Sequence, residues 1–396
     1  MPTAIVWFRK CLRLHDNPAL TWACESSEVD SILPVFIMDE ELGSEGTGGI
    51  GFNRARFLVQ SLRDLDDSLQ RELGLRLRIV RGGFLETMEA IIKGLDESAH
   101  YLAYEYCSEP KSLSVSAEIS GWELSGGMDF ESRIFSGSHT LLDIEKTVSS
   151  ENYSNPKSMK DMERIFQRQF GVDDFGFYDI GEPLPPPVSS KPMSEIVTLD
   201  SEVGISDLDE YLINNYPRRV LEAPYFRGGE GEALERLSRK VSGEKDYVNN
   251  FKKPRTSSTN LDEDPREPST TGLSPYLSTG CLSIRMLWSE CKKSYLMGEH
   301  TQPPESLHGQ MMFREMFYLL SRSVDNWDQS TGNENCKDID WGEYDSELVG
   351  CWEDGMTGYP YIDAMMRQLE ETGWMHHLGR HAVSCFLTRG QLWQSH

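Results

Sequence analysis

The sequence predicts an α/β N-terminal domain with a parallel sheet, followed by an all-helical domain. Short apolar, β-rich runs alternate with helix-period segments over the first third, and beyond Ile205 the strand runs fade while helical periodicity persists. Between the two, SSENYSNPKS and PLPPPVSSKP turn the texture Pro- and Ser-rich, as in a connector laid over a surface. The expected boundaries are therefore 1–135 for the α/β domain, 136–203 for the linker and 204–396 for the helical domain.

The strand-like runs are AIVWF (Ala4 to Phe8), SILPVFIMD (Ser31 to Asp39), LRIVRG (Leu77 to Gly82) and YLAYEY (Tyr101 to Tyr106), with DFESRIFS (Asp129 to Ser136) as a fifth. Between the second and third, NRARFLVQSLRDLDDSLQREL spaces Phe57, Leu58, Leu62, Leu65 and Leu69 at helical intervals, with Asn53 as the expected N-cap. Strands alternating with helices imply a parallel sheet covered on both faces. Inside the linker, KSMKDMERIFQRQF has the makings of a helix. Further on, EGEALERLSRKV, SIRMLWSECKKSYL, HGQMMFREMFYLLSRSV and YPYIDAMMRQLEETGWMHHLGRHAVSCFL carry one-sided apolar spacing.

Bulk properties narrow the class of protein. A chain of 396 residues accommodates two ordinary domains, and 38% hydrophobic with 26% charged residues reads as soluble and globular. No apolar run is long enough to span a bilayer, and MPTAIVWFRKCLRL lacks the basic-then-apolar layout of a signal peptide. Nucleus or cytoplasm is the expected location. The eight cysteines are scattered without a C-x-x-C pair, which fits reduced, mostly buried thiols better than a disulfide framework, a zinc site or a catalytic thiol. A formal net charge of −25 opposes non-specific binding to phosphate backbones, although the field inside a cleft depends on local arrangement.

The turn after the first strand reads WFRKCLRLHDNPAL and has no G-x-G-x-x-G, so a dinucleotide pyrophosphate is not expected there. In PSTTGLSPYLSTGCLSIR, Thr270, Thr271 and Ser274 cluster hydroxyls around Gly272 ahead of a helical run. That suits a phosphate cradle, and on composition alone it suits an ordinary capped turn better. Gln310 and Arg314 are four apart and share a helix face, where the arginine could meet a phosphate or, by itself more naturally, an ion-pair partner. His377 and His381 share a face in the same way. Zinc helices of that spacing need a glutamate beside the first histidine, whereas Leu378, Gly379 and Arg380 intervene here, and no metal site is expected. Two imidazoles on one face suit acid–base work in a closed pocket.

WFRKCLRLHDNPAL, NRARFLVQSLRDLD, SHTLLD, FRGGEGEALERL, STTGLSPYLSTGCLS, TGYPYIDAMMRQL and GWMHHLGRHAVSCFLTRG follow one another over nearly the whole chain. Together they resemble the photolyase/cryptochrome flavoproteins, most closely the (6-4) photolyase and animal-type cryptochrome branch. The resemblance implies a Rossmann-like, photolyase-type α/β domain that accommodates an antenna chromophore of unspecified identity, and a helical domain that holds FAD. It implies that Thr270, Thr271, Gly272, Leu273 and Ser274 touch the FAD phosphates and that Gln310, Arg314, His377 and Arg380 line the flavin pocket. By the same resemblance His377 and His381 are the catalytic proton-handling pair, Gln310 and Phe313 meet substrate, and Trp341 is the outermost electron-relay tryptophan.

The implied activity is light-driven repair of (6-4) photoproducts in UV-damaged DNA, a carbon–carbon lyase reaction. The alternatives are a cryptochrome-type blue-light or circadian signalling protein with protein partners, and a non-photoactive protein-binding module. CPD photolyases resemble one another in carrying Asn at the position of His377, so the histidine pair argues against that branch. Two departures from the pattern are Phe313, where the family has a lesion-stacking Trp, and Cys11, where it has Gly. A third is the ending: His396 falls where the middle relay tryptophan would stand, and the helices beyond it are missing. The expectation is a truncated helical domain with an incomplete FAD cradle, and weak or lost FAD binding, because unburied helix faces forgo about 25 cal/mol per Å².

Overall fold

The computed structural model describes residues 2–39, 50–95, 100–126, 129–194, 201–217, 224–243, 245–253, 267–337 and 339–389. The chain divides into two compact units that interleave in sequence. The larger comprises Met1–Arg219, Gly228–Lys253 and Leu273–Asp328; the smaller comprises Val220–Arg227, Pro254–Gly272 and Gln329–His396.

The larger unit is built on strands β1 (Thr3–Phe8), β2 (Ser31–Met38), β3 (Arg78–Arg81), β4 (His100–Glu105), β5 (Phe130–Phe135) and β6 (Glu202–Val203), in spatial order β5-β4-β1-β2-β3-β6. The first five pair in parallel, as the alternating pattern requires. The two-residue edge strand β6 pairs antiparallel with β3 and was not legible in the sequence. β1 is buried along its whole length, as a central parallel strand covered on both faces must be. β2 carries Pro34, which a central strand tolerates poorly because the ladder loses a donor. The difficulty is resolved locally: β3 pairs with β2 only from Val35 onward, and before that Ile32 bonds Pro192 and Ser194 instead.

Helices α1 (Pro18–Glu25), α2 (Phe52–Leu73), α3 (Phe84–Lys93) and α4 (Pro110–Ser125) connect the strands. Ile5, Trp7, Leu33, Val35, Met88, Ile91, Leu102, Tyr104 and Ile119 pack the core between sheet and helices. The α2 helix appears where the apolar spacing placed it, with one correction. Gly51, not Asn53, is its N-cap, and Asn53 lies inside the first turn, where its Oδ1 accepts a bond from Arg56 Nη2 at 2.7 Å.

The rest of this unit is helical: α5 (Ile144–Val148), α6 (Met159–Phe170), α7 (Leu208–Asn215), α8 (Glu230–Leu237), α9 (Lys245–Asn249), α10 (Ser274–Thr279), α11 (Ile284–Tyr295) and α12 (Leu307–Ser323). The expected linker helix is α6, started by Ser158, whose side chain accepts the N–H of Asp161.

A buried polar knot holds the β1–α1 turn. Arg13 is fully buried and donates to four carbonyls: His15 at 2.9 Å, Asp16 at 2.9 Å, Ser138 at 2.6 Å and Gly280 at 2.8 Å. Asp16 accepts from Leu184 N at 2.9 Å and from both Arg285 Nε and Nη2. Glu230 accepts from Leu14 N at 2.7 Å, from His15 N at 3.0 Å and from the His15 ring. The other His15 nitrogen accepts the Ser283 N–H at 3.1 Å, which makes Nδ1 the protonated nitrogen and the donor to Glu230.

Burial pushes the Glu230 carboxyl up, but His15 and the two N–H groups outweigh it and hold the group below the ordinary glutamate range. Its stabilisation is therefore present above that range and lost as pH falls through the depressed native value. In urea titrations Glu230→Ala is expected to cost about 3–5 kcal/mol near neutral pH and to flatten the acid limb of the stability profile. An unchanged midpoint would refute the assignment.

The smaller unit contains α13 (Ser346–Glu353), α14 (Pro360–Thr372) and α15 (His377–Thr388). The motif TGYPYID is a helix start. Pro360 opens α14, and Asp363 folds back to accept the N–H and hydroxyl of Thr357 and the N–H of Gly358. Ile362, Met366, Met375 and Val383 form the core between α14 and α15, and Trp352 Nε1 donates to Val383 O at 3.1 Å. No helix among the described residues is long and apolar enough to cross a membrane.

Candidate functional site

The predicted site residues fall in both units. In the smaller unit the histidines sit at the start of α15. His376 is the N-cap, its ring nitrogen Nδ1 accepting the Leu378 N–H at 3.2 Å. His377 and His381 occupy the first and fifth helical positions, so their side chains project from one face a turn apart, as their spacing implied. His377 is half-buried and His381 exposed, with the Cys385 sulfur 3.7 Å from His381 Nε2. Arg380, on another face, is exposed, and its Nε donates to Met375 O at 3.1 Å. Trp341 is half-buried in a segment without regular secondary structure.

In the larger unit Gln310, Phe313 and Arg314 are half-buried on α12 and share a face at i, i+3 and i+4. Gln310 Nε2 donates to Pro304 O at 2.9 Å. The Arg314 guanidinium is heavily engaged. It pairs with buried Glu315 at 3.0 Å, donates to His139 O at 2.8 Å and lies 4.6 Å from the Tyr318 ring centroid. Glu315 in turn accepts the N–H groups of Leu141 and Leu142. Burial first, and the Arg314 charge second, hold His139 well below its ordinary pKa, so this imidazole is neutral. The ion-pair alternative weighed for Arg314 is thus realised, and Glu315, His139 and Tyr318 are its partners.

The Thr270–Ser274 segment leads directly into α10. Gly272 takes a left-handed φ of +65°, Thr270 and Thr271 are half-buried, and Ser274 is exposed at the helix start. Hydroxyls flanking a left-handed glycine at a helix start have the chemistry to meet the phosphates of a flavin nucleotide.

A second site was not read from the sequence. Because β1 lies between β2 and β4, the connections leave in opposite directions at the C-terminal ends of β1 and β4, where open α/β sheets bind ligands. A cavity of about 260 Å³ opens there, lined by Trp7, Arg9, Phe84, Glu105, Glu109 and Lys111 among others. The Arg9 guanidinium lies 4.8 Å from both the Trp7 and Tyr104 ring centroids. The available signal was the charge and aromaticity directly after the two strands, in WFRK and YEYCSEPK. Cys11 is pushed up to about 12 and Cys24 to about 11, chiefly by burial, and no disulfide joins any of the eight cysteines.

Comparison with known proteins fits this architecture. Residues 4–186 match the family model described as DNA photolyase, and residues 306–396 match the FAD binding domain of DNA photolyase. The chain is 36% identical over 400 residues to the (6-4)DNA photolyase of Arabidopsis thaliana, covering 98% of this chain and 67% of that protein. It is 37% identical over 401 residues to Cryptochrome-1 of Gallus gallus, covering 99% of this chain and 59% of that protein. Among solved structures, the Synechocystis sp. PCC6803 cryptochrome superposes with a TM-score of 0.76 at 23% identity, over all of this chain and 77% of that one. By sequence, by fold and by its FAD-binding domain, this chain belongs to the photolyase/cryptochrome family.

Proposed function

We propose that this chain carries light-driven repair of (6-4) photoproducts in DNA. The observation that carries the reading is the pair His377 and His381, one turn apart on the same face of α15. When bound, FAD would supply the light-driven electron, and the family resemblance makes Thr270–Ser274, Gln310, Arg314, His377 and Arg380 the residues that would hold it. His377 and His381 manage the proton: one imidazole donates to the lesion while the other accepts from or orients it. Phe313 offers a ring face on which a displaced base stacks, with less area than an indole, and the Gln310 carboxamide hydrogen-bonds the lesion's polar edge. Trp341 is the outer point of electron exchange. The crevice at the ends of β1 and β4 takes a planar antenna chromophore between aromatic walls and the Arg9 and Lys111 cations. DNA binding by so acidic a chain needs a local exception, and Lys146, Arg164 and Arg168 line one cleft of about 380 Å³.

A flavin band in the purified chain, with repair of a (6-4) lesion under blue light, would support this reading against the weak or lost FAD binding that the incomplete cradle implies. His381→Ala should lower the repair yield by about 10²-fold or more while the flavin band persists, and His377→Ala should lower it at least as far. Unchanged repair in both variants would sink the proton-transfer assignment.

The net charge of −25 favours a second reading, a cryptochrome-type signalling protein that binds protein rather than DNA. Retained flavin without repair is its signature.

A further inference from the structure

We propose that His376, which lies outside the catalytic pair, is a positioning residue that fixes the orientation of the His377 ring. The proposal rests on the repair reading for its consequence in activity, but its geometry stands by itself. His376 Nδ1 accepts a backbone N–H, so that nitrogen carries no proton, and a neutral imidazole must then hold its proton on Nε2.

The ring is also sterically placed. His376 is only 3% exposed, its centroid lies 4.3 Å from that of His377 at an interplanar angle of 46°, and Trp374 meets it edge-on at 6.3 Å. A helix start does not need a ring: Asn, Asp or Ser caps more effectively with a smaller side chain. An imidazole buried at this position, touching the next residue, does something a cap alone does not. It supplies a rigid wall against the first helical side chain, and the cap bond anchors that wall to the helix it serves. The orientation of His377 is thereby tied to the first turn of α15 rather than left to its own rotamer freedom.

The test separates cap from ring. His376→Asn and His376→Ser keep a capping acceptor and remove the imidazole, whereas His376→Ala removes both. In the ¹⁵N-labelled chain, the His376 signals should show an unprotonated Nδ1 and a protonated Nε2. Leu378 amide exchange should stay slow in the Asn and Ser variants and quicken in the Ala variant. The His377 ring signals should nevertheless shift in all three, and repair yield should fall about tenfold in the Asn and Ser variants. A protonated Nδ1 in the parent overturns the geometry. Unshifted His377 signals in a folded Asn or Ser variant overturn the positioning role. If the parent shows no repair but the His377 signals shift, the repair reading fails and the positioning role stands.

Discussion

Arg13→Ala is expected to destabilise the α/β part of the molecule by about 4 kcal/mol or more, read as a lowered urea midpoint in far-UV circular dichroism. The side chain is wholly buried, and its four carbonyl partners belong to stretches as distant in sequence as Ser138 and Gly280. Truncation leaves those carbonyls without the charged donor that satisfied them, in a place water does not reach. Arg13→Lys should recover little, because an ammonium on a flexible stem cannot span four acceptors held by a planar fork. A midpoint within error of the parent would show that the knot is dispensable.

Gly280→Ala should cost a comparable amount, about 3–4 kcal/mol, for a backbone reason. Gly280 has φ of +72°, and a Cβ there would lie 1.7 Å from the Lys10 carbonyl oxygen and 2.4 Å from its carbon. Neither atom belongs to a side chain that can swing away, and Lys10 is further held by Glu105, which accepts its N–H at 2.7 Å. Left-handed strain and overpacking therefore add. Because Gly280 O is also an Arg13 acceptor, Gly280→Ala and Arg13→Ala should be markedly sub-additive in a double-mutant cycle. Full additivity would mean that the two loops do not share one anchor.

Much of this architecture was legible because it rests on short-range pattern. AIVWF, SILPVFIMD, LRIVRG, YLAYEY and DFESRIFS each overlap an observed strand, with β1 and β4 starting one residue earlier, and KSMKDMERIFQRQF contains α6. Asn53 was misread as a cap because a good capping residue two positions past the true cap looks the same in sequence as one at the helix edge. The two-residue β6 carries too few side chains to show any period. His396, taken as the end of a broken electron relay, lies outside the described residues.

The candidate site divides along the same line. The same-face placement of His377 with His381, and of Gln310 with Arg314, followed from a four-residue spacing. The partners of Arg314 did not, because His139 lies 175 residues away and no local rule relates the two. His376 was visible as a residue, but its Nδ1 bond and its contact with the His377 ring were not.

The sequence by itself determined the family, through the order of its motifs, and also the succession of strands and helices and which chemically able side chains share a helix face, which depend on periods of 2 and 3.6 residues. Only the tertiary structure decided that the β1–α1 turn is locked by Arg13, Asp16 and Glu230, that a crevice opens between the ends of β1 and β4, and that Arg314 is tied to Glu315 and His139. Those outcomes depend on groups far apart in the chain arriving within about 3 Å of one another, and the low-dielectric interior makes such encounters either strongly favourable or forbidden.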